Sequence, residues 1–192
     1  CTVDIQPSDT SLPHDELLRV LREGHYDAVL CLLTDVIDAS VFDAAPSVKL
    51  YANYATGFDN IDIAEAAKRG ITVTNAPADL ASEAVAEHTI ALMLALSART
   101  VEADAFVRQG KYVGWSPSHF IGTDLLGKTL GLVGAGRIGE RVARYAAGLG
   151  LKISYTDVSH NDRIEKDCGA TYYESLEELL ARTEKLSRVR GG

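Results

Sequence analysis

The chain has 192 residues, 46% of them hydrophobic, which is enough for a real core in one ordinary domain or two small ones. A formal net charge of −8 and an isoelectric point near 5.1 argue against a nucleic-acid footprint and for solubility. No run approaches 18 consecutive apolar residues and no signal peptide is visible, so a cytoplasmic protein is the expectation. The three cysteines, Cys1, Cys31 and Cys168, are an odd number without C-x-x-C spacing, and Cys31 falls in an apolar run where a buried reduced thiol is expected.

Pro13 opens a helix over about 13–23, with Leu17, Leu18 and Leu21 on one side and Gly24 past its end. Ala28–Leu33 is an apolar run of strand length, Ser40–Ala45 suits a short helix, and Lys49–Asn53 reads as a second strand. Ile61–Arg69 reads as a helix closed by Gly70, followed by a third strand at Ile71–Thr74. Strands separated by helices imply parallel β-α units, whose ligands gather at the carboxyl ends of the strands. That singles out the loops after Leu33 and after Asn53. The second of these, Asn53–Asn60, carries Thr56 and Gly57. Backbone N–H groups in such a turn suit a carboxylate. The alternative is a plain connection in which Asp59 or Asn60 caps the next helix.

After a proline-containing loop, Asn75–Leu80, a helical segment runs from about Ser82 to Gln109 with Gly110 beyond it. Such a helix would span about 40 Å. Glu83, Glu87 and Arg99 interrupt its apolar middle, so it reads as a crossing between domains and not as a membrane span. Lys111–Gly127 is a loop rich in glycine, serine and aromatics that either covers the core or meets another subunit.

Thr129–Val133 then reads as a buried strand, followed by Gly134-Ala135-Gly136-Arg137-Ile138-Gly139 where a helix begins. That helix, about 137–149, stops at Gly150, and a second strand, Leu151–Thr156, ends on Asp157, 18 residues after Gly139. Each part has a task in holding a dinucleotide. Gly134 permits the tight turn, Gly136 lets the backbone approach a pyrophosphate, and Gly139 allows close helix–strand packing. The helix N-terminus receives the phosphates. Asp157 accepts hydrogen bonds from the ribose hydroxyls and would repel the extra phosphate of NADP, so NAD is the expected cofactor. Three glycines alone are a weak signal; strand, glycines, helix, strand and acid in register are a strong one. Further on, Asn161–Asp167 suits a short helix, Thr171–Tyr173 a third strand, and Ser175-Leu176-Glu177-Glu178 is a capping box for a last helix.

With these blocks in place, the chain resembles the D-isomer-specific 2-hydroxyacid dehydrogenases, and within them the glyoxylate/hydroxypyruvate reductase branch. The matching stretches are Tyr51–Asp62 (YANYATGFDNID), Gly70–Asn75 (GITVTN), Val85–Thr89 (VAEHT) and Gly127–Gly139 (GKTLGLVGAGRIG). The resemblance covers nearly all of residues 20–180. It implies an α/β chain: a Rossmann-type doubly wound parallel sheet, incomplete, preceded by a smaller flavodoxin-like α/β substrate domain, also incomplete. Residues 1–81 would be the partial substrate domain, and 82–192 the crossing helix with the first half of the NAD-binding domain. By position, Thr56 and Gly57 would present backbone donors to the carboxylate of a 2-oxo acid. Val85 would lie on the nicotinamide side, Arg137 and Ile138 at the pyrophosphate, and Asp157 at the ribose. Some reductase branches carry a small residue with a basic neighbour at that last point and prefer NADP; Asp157 departs from them.

The resemblance also implies an arginine that clamps the oxo acid and a glutamate-assisted histidine that acts as general acid. No Ala-Arg-Gly segment or Pro-His motif matches them, and none of His14, His25, His88, His119 and His160 takes the part. No catalytic residue and no metal ligand is therefore assigned within the chain. With no initiator methionine and abrupt ends, the chain is expected to be a fragment, inactive alone. Only three strands of the nucleotide sheet are expected, leaving Thr129–Val133 with an unpaired edge. The parent is expected to be an oxidoreductase that reduces a small 2-oxo acid, of the glyoxylate or hydroxypyruvate type, D-stereospecifically with NAD(P)H, as a homodimer. The alternatives are a non-catalytic, dinucleotide-sensing corepressor-like protein of the same fold, or a phosphoglycerate or formate dehydrogenase.

Overall fold

A computed structural model describes residues 2–7, 10–183 and 185–187. The chain divides into two compact units, one up to Ala78 and one from Asp79.

The first unit alternates helix and strand: α1 (His14–Glu23), β1 (Ala28–Cys31), α2 (Ala39–Ala44), β2 (Leu50–Asn53), α3 (Ile63–Lys68) and β3 (Thr72–Thr74). The strands pair in the order β1-β2-β3, all parallel, with Cys31 opposite Asn53. Strand alternation sends Cys31, Tyr51 and Asn53 into a core built with Leu18 and Leu21 of α1 and Val41 and Phe42 of α2. The helix starts are side-chain capped. Asp38 accepts from the N–H groups of Ser40 and Val41, and Asp62 from that of Glu65, so neither Asp59 nor Asn60 caps α3. The loops that matter here leave the carboxyl ends of β1 and β2, and an isolated bridge between Ile37 and Ile61 ties them together.

The second unit comprises α4 (Asp79–Ser97), α5 (Thr100–Arg108), β4 (Thr129–Val133), α6 (Arg137–Gly148), β5 (Lys152–Thr156), α7 (Asp162–Cys168), β6 (Thr171–Tyr172), α8 (Leu176–Arg182) and β7 (Lys185–Ser187). Its sheet is parallel throughout with order β6-β5-β4-β7. In chain order that is 3-2-1-4, the order of the first four strands of a doubly wound nucleotide-binding sheet. The core joins Leu130 and Leu132 of β4, Val142, Ala143 and Ala146 of α6, Ile153 and Tyr155 of β5, Ile164 of α7 and Ala86 of α4.

Two sequence expectations need correcting. The edge of β4 is not left open: β7 pairs with it, Leu130 facing Lys185 and Leu132 facing Ser187. Three residues among basic neighbours give too short a signal to read as a strand. The helical segment over 82–109 is not continuous either. The N–H of Thr123 takes the Ser97 carbonyl at 2.8 Å, Arg99 turns into the left-handed region (φ 54°), and α5 restarts after it. Gly122 makes this approach feasible, since a Cβ there would lie 2.3 Å from the Ser97 oxygen. Arg99 then anchors on Glu102 at 2.5 Å and lies over the Phe120 ring. Phe106, His119 and Phe120 form an edge-on aromatic cluster, which gives His119 a packing role.

By length and composition alone α4 is apolar enough to cross a bilayer. Its Ala86, Ile90 and Met93 instead pack on the second unit's core.

Candidate cofactor and substrate sites

The turn from β4 to α6 is built by three glycines with three different constraints. Gly134 sits at φ +98°, a conformation that only glycine adopts without strain. A Cβ at Gly139 would lie 2.3 Å from the Gly134 carbonyl oxygen, so helix and strand approach too closely for any side chain. Around Gly136 nothing lies within 4 Å of where a Cβ would be, leaving its backbone face open to a ligand. Gly136 is the residue that precedes α6, so the first N–H groups of the helix, from Arg137, Ile138 and Gly139, lack intrahelical acceptors.

Asp157 points at this turn. Its Oδ2 accepts the Ala135 N–H at 2.7 Å and its Oδ1 accepts that of Val158 at 2.7 Å. From the other side, Asn161 donates its Nδ2 to the Ala135 carbonyl at 2.7 Å. Ala135 is thus gripped at both ends. Gly134, Ala135, Gly136, Arg137, Ile138, Gly139 and Asp157 therefore converge on one place, as their spacing predicts.

Beside the turn lies an open groove of about 470 Å³, lined among others by Gly136, Arg137, Arg141, Arg144, Asn161 and Arg163. Arg137, Arg141 and Arg144 share a face of α6 at helical spacing, a signal present in the sequence but absent from the motif. Three of the four arginines are already engaged. Glu83 of α4 accepts from Arg141 at 2.5 Å and from Arg144 at 3.4 Å, and also takes the Tyr145 hydroxyl; Asp79 accepts from Arg141 at 3.1 Å. Arg163 reaches Glu140 at 3.4 Å. The Tyr145 hydrogen bond, followed by that of Arg141, holds the Glu83 carboxyl below the usual glutamate value. Only Arg137 keeps an exposed guanidinium with no partner among the described residues. Val85 lies on the half-exposed side of α4, next to the buried Ala86.

The loop after β2 lies in the first unit. Its carbonyls are held one after another: Ala55 by the Ala76 N–H at 2.9 Å, Thr56 by Asn75 Nδ2 at 2.7 Å, and Gly57 by Asn53 Nδ2 at 2.9 Å. Asn53 is buried and also donates to Asn60 Oδ1 at 2.9 Å. Asn60 in turn donates to the carbonyls of Leu32 and Asp35, so the loops after β1 and β2 are locked to each other. Neither Asn53 nor Asn75 stands out in the sequence, because their partners are backbone atoms whose direction only the fold sets. Burial raises the thiol of Cys31, beside Asn53, to about 11 and so makes it unreactive.

The family model for the D-isomer-specific 2-hydroxyacid dehydrogenases, NAD-binding domain, matches residues 90–189. A glyoxylate reductase of Korarchaeum cryptofilum is 49% identical over 176 residues, which cover 91% of this chain and 52% of that protein. A glyoxylate reductase of Thermococcus kodakarensis is 44% identical over 186 residues, covering 95% of this chain and 55% of that one. The crystal structure of D-lactate dehydrogenase from Aquifex aeolicus, complexed with NAD and lactic acid, superposes with a TM-score of 0.78 at 31% identity, covering 92% of this chain and 50% of that one. The chain spans about half the length of the curated relatives it matches.

Proposed function

Because the chain belongs to the D-isomer-specific 2-hydroxyacid dehydrogenase family, we propose that its parent protein reduces a small 2-oxo acid, of the glyoxylate or hydroxypyruvate type, to the D-2-hydroxy acid. Bound NADH supplies the hydride. The observation that carries this reading is the convergence of the glycine turn, the free helix N–H groups and Asp157. Residues fit the dinucleotide on structural grounds: Gly136 has an open face and Asp157 stands at the tip of the neighbouring strand. The α6 amides and Arg137 bind the pyrophosphate, and Asp157 orients the ribose while its charge disfavours the 2′-phosphate of NADP. Val85 packs on the nicotinamide side. Thr56 and Gly57 hold the substrate carboxylate through backbone donors.

The arginine that clamps the oxo acid and the glutamate-assisted histidine that protonates its oxygen belong to residues outside this chain, which alone does not turn over. Leu92 and Leu96 of α4 and Val101 and Val107 of α5, all well exposed, support pairing of two copies. A cytoplasmic enzyme that needs neither nucleic acid nor membrane fits the acidic composition.

The test is NADH-dependent reduction of glyoxylate and hydroxypyruvate by the full-length protein. We expect NADH to outperform NADPH and hydroxypyruvate to give D-glycerate. Absence of NADH binding in calorimetry would overturn the reading. Turnover by the 192-residue chain would overturn the assignment of the catalytic groups.

A further inference from the structure

We propose that Asn53, Asn60 and Asn75 are positioning residues that hold the loop carbonyls and thereby aim the N–H groups of Gly57 and Phe58, next to that of Thr56, as donors for the substrate carboxylate. This rests on the reading of Thr56 and Gly57 as the carboxylate subsite. It adds Phe58 as a donor and names the groups that set the geometry.

Peptide planarity fixes where these N–H groups point. In a trans peptide the C=O of one residue and the N–H of the next point in opposite directions, and the described chain has no cis peptide bond. Asn75 draws the Thr56 carbonyl towards itself, so the Gly57 N–H faces away from Asn75. Asn53 does the same to the Gly57 carbonyl, so the Phe58 N–H faces away from the buried amide. Neither N–H finds an acceptor among the described residues. These two unpaired donors, each fixed by a side chain on the opposite end of its peptide, adjoin the Thr56 N–H, whose peptide is held through the Ala55 carbonyl, and such a run of fixed donors suits an anion with little reorganisation. Asn60 completes the device. It accepts from Asn53 and is tied to the carbonyls of Leu32 and Asp35, so Asn53 cannot rotate without breaking the link to the neighbouring loop. Gly57 itself adopts no left-handed backbone and has open space around it. The loop's shape is imposed by the asparagines and not by the glycine.

The experiment is steady-state kinetics with glyoxylate on the full-length protein, with NADH affinity and Tm measured in parallel. Asn75 is exposed, so Asn75→Ala is expected to fold normally. It should raise the glyoxylate KM about tenfold, the effect of losing one well-placed hydrogen bond, while NADH affinity and Tm stay put. Asn75→Asp, isosteric but lacking the donor, should raise KM at least as much, which a space-filling role would not do. Asn53→Ala should act in the same direction and add a loss of Tm. Gly57→Pro, which deletes one proposed donor outright, separates the two layers of the claim. Unchanged KM in Gly57→Pro overturns the carboxylate subsite and this inference with it. A raised KM in Gly57→Pro with unchanged KM in both Asn75 variants overturns the positioning role alone.

Discussion

The two strand-to-helix turns of this chain solve the same problem with different means. Each leaves backbone N–H groups without an acceptor among the described residues, at the carboxyl end of a parallel strand. In the second unit the turn after β4 is shaped by the backbone: Gly134 takes a positive φ and Gly139 leaves no room for a Cβ. In the first unit the loop after β2 is shaped by side-chain amides, and its glycine is under no steric demand. A constraint carried by missing atoms tolerates no substitution. A constraint carried by hydrogen bonds is lost in graded steps.

The sharpest way to break that contrast is to add one methyl group to each turn. Gly139→Ala forces a Cβ to within 2.3 Å of a backbone carbonyl that has no freedom to move. We expect a loss of about 2–3 kcal/mol in stability by chemical denaturation, and NADH binding weakened at least tenfold in calorimetry. Gly57→Ala meets nothing within 4 Å and should change stability by less than about 0.5 kcal/mol. Similar losses at both positions would erase the distinction.

The same contrast explains what could be read from the sequence. The nucleotide turn was legible because its physics is local: glycine spacing, strand lengths and the acid at the next strand tip are all fixed by covalent geometry. Asp157 indeed faces the turn. The loop carrying Thr56 and Gly57 stands out as a glycine-bearing turn at a strand tip, and the family resemblance assigns those two residues their part; the anchoring by Asn53, Asn60 and Asn75 does not show in the sequence. An asparagine that grips a carbonyl up to 28 residues away leaves no periodicity. The break at Arg99 was hidden for the same reason, since it depends on Thr123 returning to cap Ser97. The arginine row on α6 is legible at helical spacing, but it runs on beyond the glycine motif.

The two units also differ at a buried tyrosine. Tyr51 on β2 and Tyr155 on β5 are both fully buried, and burial raises each phenol to about 12. Tyr155 is satisfied: it donates to Glu165 at 2.6 Å and accepts the Asn161 N–H at 2.7 Å. Tyr51 has no hydrogen-bond partner for its hydroxyl among the described residues. Tyr155→Phe leaves the Asn161 N–H unpaired and should cost about 1–3 kcal/mol. It should also weaken NADH binding, because Asn161 holds the Ala135 carbonyl. Tyr51→Phe removes an unmet polar group and should be neutral or stabilising by up to about 1 kcal/mol in the same denaturation assay.

A smaller effect comes from the acid itself. Asp157→Ala deletes an acceptor of the Ala135 N–H and the charge that faces the ribose. NADH affinity should fall about tenfold, in line with a charge-assisted hydrogen bond of about 1.5 kcal/mol. NADPH affinity should fall less, so the ratio between the two cofactors narrows. A ratio that stays constant would remove Asp157 from cofactor choice.

The smallest effect expected separates the units by pH. Glu83 in the second unit and Glu65 in the first both have carboxyls held below the ordinary value of 4.5. For Glu83 the leading cause is the Tyr145 hydrogen bond, reinforced by Arg141; for Glu65 it is Arg69, then Lys68. A carboxyl whose folded-state pKa is depressed adds stability that is fully present above its unfolded value. That stability is lost as pH falls through the folded one. Both should therefore contribute to acid unfolding below pH 4.5 and to nothing above it. The partners of Glu65 on α3 are only three and four residues away, so local helix pairs carry its effect. Glu83 joins α4 to α6 across about 60 residues, so its loss removes a polar tie between two packed helices. Glu83→Gln should accordingly flatten the stability curve between pH 4.5 and lower values more than Glu65→Gln does. Added salt should blunt the Glu65 effect more, since the pairs there are charge with charge while a neutral phenol leads at Glu83.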